Sequence, residues 1–223
     1  DHERSRSVLK IGFVQSKYDP CLFIWKQGTQ RIYAVVWVDD VTTIDNCPEE
    51  MKKVIDKIKQ MGFVLSSVGD LEFYLGIKCD INKEKGTIKL SQQTYIENLL
   101  EKFGMKDCKE IKSPMDSNSR PSANDQPDLK TEKGAWEARE MKKLPFRQLL
   151  GTLAHLARFT RPDIKFAVFY IARYQNNPGQ KHYSALKRIC RYLQGTKTEG
   201  IVFGNSKLPL TIFVDADYGG DPD

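Results

Sequence analysis

Histidine is scarce and cysteine is scattered in this 223-residue sequence. The three histidines lie far apart, and the five cysteines (21, 47, 79, 108 and 190) are odd in number and never form a C-x-x-C pair. Such spacing argues against a zinc site or a disulfide framework and for a reducing compartment. Long apolar runs are missing too. Neither Tyr33 to Val38 nor the seven residues Phe166 to Ala172 approach the roughly 20 residues of a membrane helix, and no signal-peptide pattern opens the chain. The sequence therefore predicts neither a membrane span nor a membrane partner. Oligomeric state is not legible in it.

What is present is enough apolar residue, 40%, for one large or two small cores. Charge is unevenly spread. The net charge is +6, yet residues 135 to 200 hold thirteen Lys and Arg against Glu137, Glu140, Asp163 and Glu199. A segment of that balance can attract a polyanion or simply face solvent. The chain opens on Asp1 without methionine and stops just after an apolar strand pattern, so it is expected to be a fragment.

"SVLKIGF" (7–13) suits the end of a helix. "CLFIWK" and "RIYAVVWV" predict strands around the turn "QGTQ", and the β-branched "VTTI" predicts a returning strand. Asp39 and Asp40 then sit at the tip of a tight antiparallel hairpin. Met51, Val54, Ile55, Ile58 and Met61 form a helical stripe after Pro48, ended by Gly62. A second hairpin is predicted where "LEFYLGIKCDI" and "TIKL" flank "NKEKG", followed by a helix with Ile96, Leu99, Leu100 and Phe103 inward. Residues 109–134 are polar and hold three prolines, which predicts a linker or mobile loop containing a domain boundary. Helices are predicted at about 144–159, 162–174 and 180–194. In the last, Lys187, Arg188 and Arg191 fall largely opposite the apolar stripe, and His155 and His182 are read as helix or surface residues. "GIVF" and "LTIFVDAD" close the sequence as strands. The second carries Asp215 and Asp217, whose spacing places both on one face of an extended chain.

An Asp-Asp pair is commonly turn chemistry, because Asp bonds its own backbone. Here it lies between two apolar runs, where like charges repel unless a cation separates them. Hard oxygen donors without nearby His or Cys suit Mg²⁺ or Mn²⁺, and two-metal phosphoryl transfer uses such a site. The residues alone leave a calcium-stabilised turn and a metal-stabilised structural protein open.

The blocks around the pair are more specific. "VVWVDDV" resembles the catalytic hairpin of reverse transcriptases. "GFVQSKYDPCLF", "GDLEFYLGIK", "LSQQTYIENLLEKFGM", "RPDIKFAVFYIARY", "HYSALKRICRYLQGTKTEGIVF" and "DADYGGD" resemble, in order, blocks of the copia-type retrotransposon polyprotein and cover nearly the whole chain. The resemblance implies an α+β fold in three parts. Residues 1–90 would be the C-terminal part of a partial palm with antiparallel hairpins. Residues 91–199 would be helical thumb and connection with a flexible linker at 109–134. Residues 200–223 would begin a truncated ribonuclease H-like domain.

The same resemblance implies that Asp39 and Asp40 are catalytic, metal-binding carboxylates. Trp37, where the family usually has tyrosine, and Val38 would lie near the primer end. Leu75, Gly76, Ile77 and Lys78 would form a primer grip, and Lys187, Arg188 and Arg191 would lie along an RNA/DNA hybrid. Asp215, with Asp217, would bind metal in the ribonuclease H part, where Tyr218 and Gly219 replace the commoner Trp and Ala. The implied cofactor is Mg²⁺ or Mn²⁺, and the implied partners are primer-template or RNA/DNA hybrid and deoxynucleoside triphosphates. The implied location is intracellular, in a cytoplasmic particle or the nucleus. The family's third carboxylate belongs to an upstream strand not among these residues, so the isolated chain is expected to be inactive. The alternative is a degenerate or co-opted nucleic-acid-binding remnant without chemistry.

Overall fold

The structure, a computed structural model, describes residues 8–37, 40–61, 71–116, 120–204, 209 and 211–214, with Trp37 and Asp40 described by backbone alone. The chain divides into two compact units, Asp1–Leu71 and Glu72–Asp223.

In the first unit a helical turn at residues 8–10 leads into β1 (Val14–Gln15), β2 (Leu22–Gln27), β3 (Gln30–Trp37) and β4 (Asp40–Asp45), an antiparallel sheet in sequence order. Helix α1 (Pro48–Gln60) follows, with Pro48 in its first turn, where no backbone N–H is needed. Alternation decides which face is covered. Phe23, Ile32, Ala34 and Val36 are buried with Val54 of α1, and Met51 and Ile58 pack at the margin. The opposite face carries a row running straight across all four strands, Val14, Ile24, Tyr33 and Ile44, of which Val14 and Ile44 are each 69% exposed.

The second unit opens with β5 (Phe73–Tyr74), β6 (Ile77–Asn82) and β7 (Thr87–Ser91), then α2 (Gln93–Lys102), α3 (Glu132–Lys143), α4 (Phe146–Phe159), α5 (Lys165–Ala172) and α6 (Gln180–Gly195). β8 (Gly200–Gly204) returns to pair with β7, giving an antiparallel sheet β5-β6-β7-β8. One core joins Ile96, Leu99 and Leu100 of α2 to Leu149, Leu153 and Leu156 of α4, Val168 and Ile171 of α5, and Leu186, Ile189 and Leu193 of α6. No helix among the described residues is long and apolar enough to cross a membrane.

The mixed α+β class and the two expected hairpins are present, and two expectations need correction. The first compact unit ends at Leu71, and β7 hydrogen-bonds to β8 from more than a hundred residues downstream. "GIVF" is thus an edge strand of the second sheet. Ile201 and Phe203 lie opposite Leu90 and Ile88 and continue the apolar face of the second sheet. Thr211 to Val214, the described part of "LTIFVDAD", form no strand, are exposed, and have no strand partner among the described residues.

The second correction concerns residues 109–134. Their described part is a packed strap that ends inside α3, a helix the polar composition concealed. Pro121 and Pro127 are buried, and a 3₁₀ turn spans Ala123–Asp125. The Gln126 amide donates to Asn177 O, and the Asn177 amide donates to Pro127 O. Asp125 O passes so close to Gly179 that a Cβ there would lie 2.0 Å from it. Gly179 is what lets the strap touch the start of α6.

Candidate active-site hairpin and nucleic-acid interface

The β3–β4 ladder runs from Ile32 opposite Asp45 to Trp37 opposite Asp40. Asp40 is therefore the first residue of β4, one step behind the tip. Val38 and Asp39, between the last opposed pair, lie outside the described residues. Among the described residues β4 pairs with β3 alone, so its outer edge is open. The strands that carry the hairpin are anchored from below by Ile32, Ala34 and Val36, at most 7% exposed. Among the described residues no group of three or more His, Cys, Asp or Glu is placed to hold a metal ion. The donor chemistry at 39–40, two hard carboxylates, fits Mg²⁺ or Mn²⁺ as a partial ligand set.

The hairpin expected around Leu75 is tighter than its sequence suggests. Tyr74 pairs with Ile77, leaving Leu75 and Gly76 as a two-residue turn with φ of +49° and +78°. Both dihedrals lie in the left-handed region used by type I′ turns, which suits Gly76 and strains Leu75. Leu75 is nevertheless 47% exposed at the tip, so its burial offsets the strain only in part. Ile77 is buried and supports the hairpin from within. Lys78 lies on the other face, 2.9 Å from Asp80 in a surface ion pair.

Lys187, Arg188 and Arg191 are half-buried, not on an open helix face. The strap covers this side of α6. Arg191 Nε donates to Lys109 O at 2.8 Å, and Gln194 donates to Lys106 O at 2.9 Å. Arg188 Nη1 lies 3.8 Å from Asp116 Oδ2, and Lys187 Nζ lies 5.2 Å over the Tyr183 ring. Asp215 and Asp217 lie outside the described residues.

Two polar centres were missed by reasoning from the sequence. Arg161 is 1% exposed. It donates to both oxygens of Asp163, at 2.7 to 3.3 Å, and to Thr196 O and Oγ1 at 2.9 and 2.7 Å, while the Tyr192 hydroxyl donates to Asp163 Oδ2 at 2.8 Å. Burial alone would raise the Asp163 carboxyl, but the Arg161 hydrogen bonds and charge, with the Tyr192 hydroxyl, hold it below the usual carboxylate range. The lock ties the entry of α5 to the end of α6. Its signal is "RPD", a sequence with no periodicity to reveal that Thr196 completes it.

His182, read as a helix or surface residue, is fully buried. Its Nδ1 accepts from Gly179 N at 3.0 Å, so Nε2 carries the proton and donates to Ser122 O at 3.2 Å. Beside it Lys181 and Asp125 pair at 2.6 Å. Burial would raise the Asp125 carboxyl, yet the hydrogen bond from Lys181 prevails and lowers it.

Comparison with known proteins gives the family. The family model described as reverse transcriptase (RNA-dependent DNA polymerase) matches residues 3–117. The chain is 35% identical over 222 residues to the retrovirus-related Pol polyprotein from transposon RE2 of Arabidopsis thaliana, covering 97% of this chain and 14% of that one. It is 32% identical over 215 residues to the corresponding polyprotein from transposon TNT 1-94 of Nicotiana tabacum, covering 95% and 16%. An uncharacterized mitochondrial protein of Arabidopsis thaliana is 29% identical over 190 residues, covering 85% of this chain and 72% of that protein. No solved structure matches. The chain spans about one-seventh of the length of the polyproteins it matches first, and with half its residues inside the family model it belongs to the reverse transcriptase (RNA-dependent DNA polymerase) family, as a region of a copia-type retrotransposon polyprotein.

Proposed function

We propose that within a longer polyprotein this chain supplies the hairpin half of an RNA-directed DNA polymerase site, working inside the cell in a cytoplasmic particle or the nucleus. The observation that carries the reading is the β3–β4 hairpin, closed at Trp37 and Asp40, on the segment the family model matches. Asp39 and Asp40 hold a divalent cation, Mg²⁺ or Mn²⁺, which when bound would neutralise charge on a nucleoside triphosphate and activate the primer hydroxyl. The open edge of β4 suits addition of a further strand, which would bring another carboxylate alongside Asp40. In this reading Leu75, Gly76, Ile77 and Lys78 contact the primer, and Trp37 and Val38 border its end; the exposure of Leu75 and Lys78 supports the first assignment. Lys187, Arg188 and Arg191 contribute positive field along an RNA/DNA hybrid, and Asp215 with Asp217 begins a second metal site.

The test is primer extension with Mg²⁺ by a chain extended upstream through the matching part of the polyprotein. Activity that vanishes in Asp39→Asn, while residues 1–223 alone give none, is the expected outcome. Extension unaffected by Asp39→Asn would sink the proposal.

A second reading keeps the fold without the chemistry; what supports it is that this chain covers 72% of the mitochondrial relative, so a protein of comparable extent exists outside the long polyproteins. That reading expects salt-dependent hybrid binding that survives Asp39→Asn and no extension in the longer chain.

A further inference from the structure

The strap and α6 enclose a cleft of about 530 Å³ whose floor and rim differ in chemistry. Met105, Met115, Pro114 and Pro121 offer apolar surface. Lys181, Lys187, Arg188 and Arg191 face it from α6, and Asp116 is the acid among the lining residues. Lys181 is committed to Asp125, and Arg191 is anchored by its Nε on Lys109 O, which holds the guanidinium on the wall. Arg188 differs. Its Nε is buried with no hydrogen-bond partner among the described residues, while its side chain stays 32% exposed and its Nη1 stands 3.8 Å from Asp116 Oδ2, too far for a good hydrogen bond. A buried guanidinium N–H without an acceptor is costly, and a planar fork is suited to phosphate oxygens.

We propose that this cleft binds a nucleotide 5′-phosphate, with Arg188 meeting the phosphate and the base lying on the Met and Pro floor. The volume is that of small-molecule sites, too large for a bare phosphate ion and too small for a duplex. The apolar floor gives a phosphodiester backbone nothing to pair with, whereas a single base has two apolar faces. Arg188 thus belongs to a site for one nucleotide, beyond its role in a general positive field. The phosphate can come from a free nucleotide or from the 5′ end of a strand. Neither Asp39 nor Asp40 is needed, so primer extension and nucleotide binding can fail independently.

The five methionines make the test local, because Met105 and Met115 line the cleft while Met51, Met61 and Met141 do not. The 223-residue chain carrying ¹³C-methyl methionine is titrated at low salt with deoxyadenosine 5′-monophosphate, deoxyadenosine, inorganic phosphate, and a short oligodeoxyadenylate bearing either a 5′-phosphate or a 5′-hydroxyl. The monophosphate is expected to move Met105 and Met115 alone, deoxyadenosine to move neither, and Arg188→Gln to weaken binding about tenfold with an unchanged melting temperature. If Arg188→Gln unfolds, Lys187→Gln is expected to weaken binding several-fold, since Lys187 makes no hydrogen bond among the described residues and its loss leaves the fold intact. A shift with the phosphorylated but not the hydroxyl oligonucleotide assigns a strand end, and a shift with the mononucleotide only assigns a free nucleotide. No methyl shift with any phosphate, shifts equal for inorganic phosphate and the nucleotide, or binding unchanged in both variants overturns the proposal.

Discussion

The two units solve the same problem with different means. The first covers one face of a four-stranded sheet with a helical turn and α1, using nine buried apolar residues, and leaves the Val14–Ile24–Tyr33–Ile44 row open. Among the described residues the second joins twenty buried ones, eighteen of them on five helices, and adds polar locks, Arg161–Asp163–Thr196 and His182 between Gly179 and Ser122. The described part of the first core is the smaller, so each buried side chain in it carries a larger share of stability. The candidate catalytic hairpin stands on the less redundant of the two.

The strongest way to break the comparison is Phe23→Ala. Phe23 is fully buried beneath the hairpin. Its loss is expected to cost about 4 kcal/mol and to unfold the first unit while the second keeps its amide-exchange protection. Equal loss of protection in both units would show that they do not unfold separately.

Gly179→Ala tests whether the strap belongs to the second unit's structure. A Cβ 2.0 Å from Asp125 O forces backbone to move, and the expected cost is about 3 kcal/mol in urea denaturation. A change below about 0.5 kcal/mol, the size of an ordinary surface substitution, would mean that the strap is only laid on α6.

Asp163→Asn is expected to cost about 2 kcal/mol, less than the roughly 3 to 5 of a fully buried pair, because Asp163 is 37% exposed and Thr196 still accepts from Arg161. The folded carboxyl is held below its unfolded value, so its stabilisation is complete above about pH 4 and is lost as pH falls further. The wild-type protein should therefore lose stability below about pH 4 more steeply than the variant. Parallel pH profiles would remove Asp163 from the account.

The smallest effect has the opposite sign. Leu75→Gly relieves a left-handed leucine and is expected to stabilise the second unit by about 1 kcal/mol. In an active longer polymerase the same change is expected to raise the KM for primer if the exposed tip grips it. Unchanged kinetics would leave the strain without a functional account.

Local pattern determined much of this protein. Alternation in "RIYAVVWV" specified which side chains go under the hairpin, and the stripes through Val54, Leu99, Leu153 and Leu186 specified the inward faces of the helices. These features need only chain neighbours, which is why they were legible, as was the block order that resembles reverse transcriptases. Only the tertiary structure decided the rest. β8 pairs with a strand more than a hundred residues upstream, and the polar 109–134 segment is held by Gly179, Asn177 and His182. Lys187, Arg188 and Arg191 line a cleft because that segment covers them. Each depends on long-range backbone hydrogen bonds and on how closely two chains approach, and neither quantity is written in the periodicity of either segment.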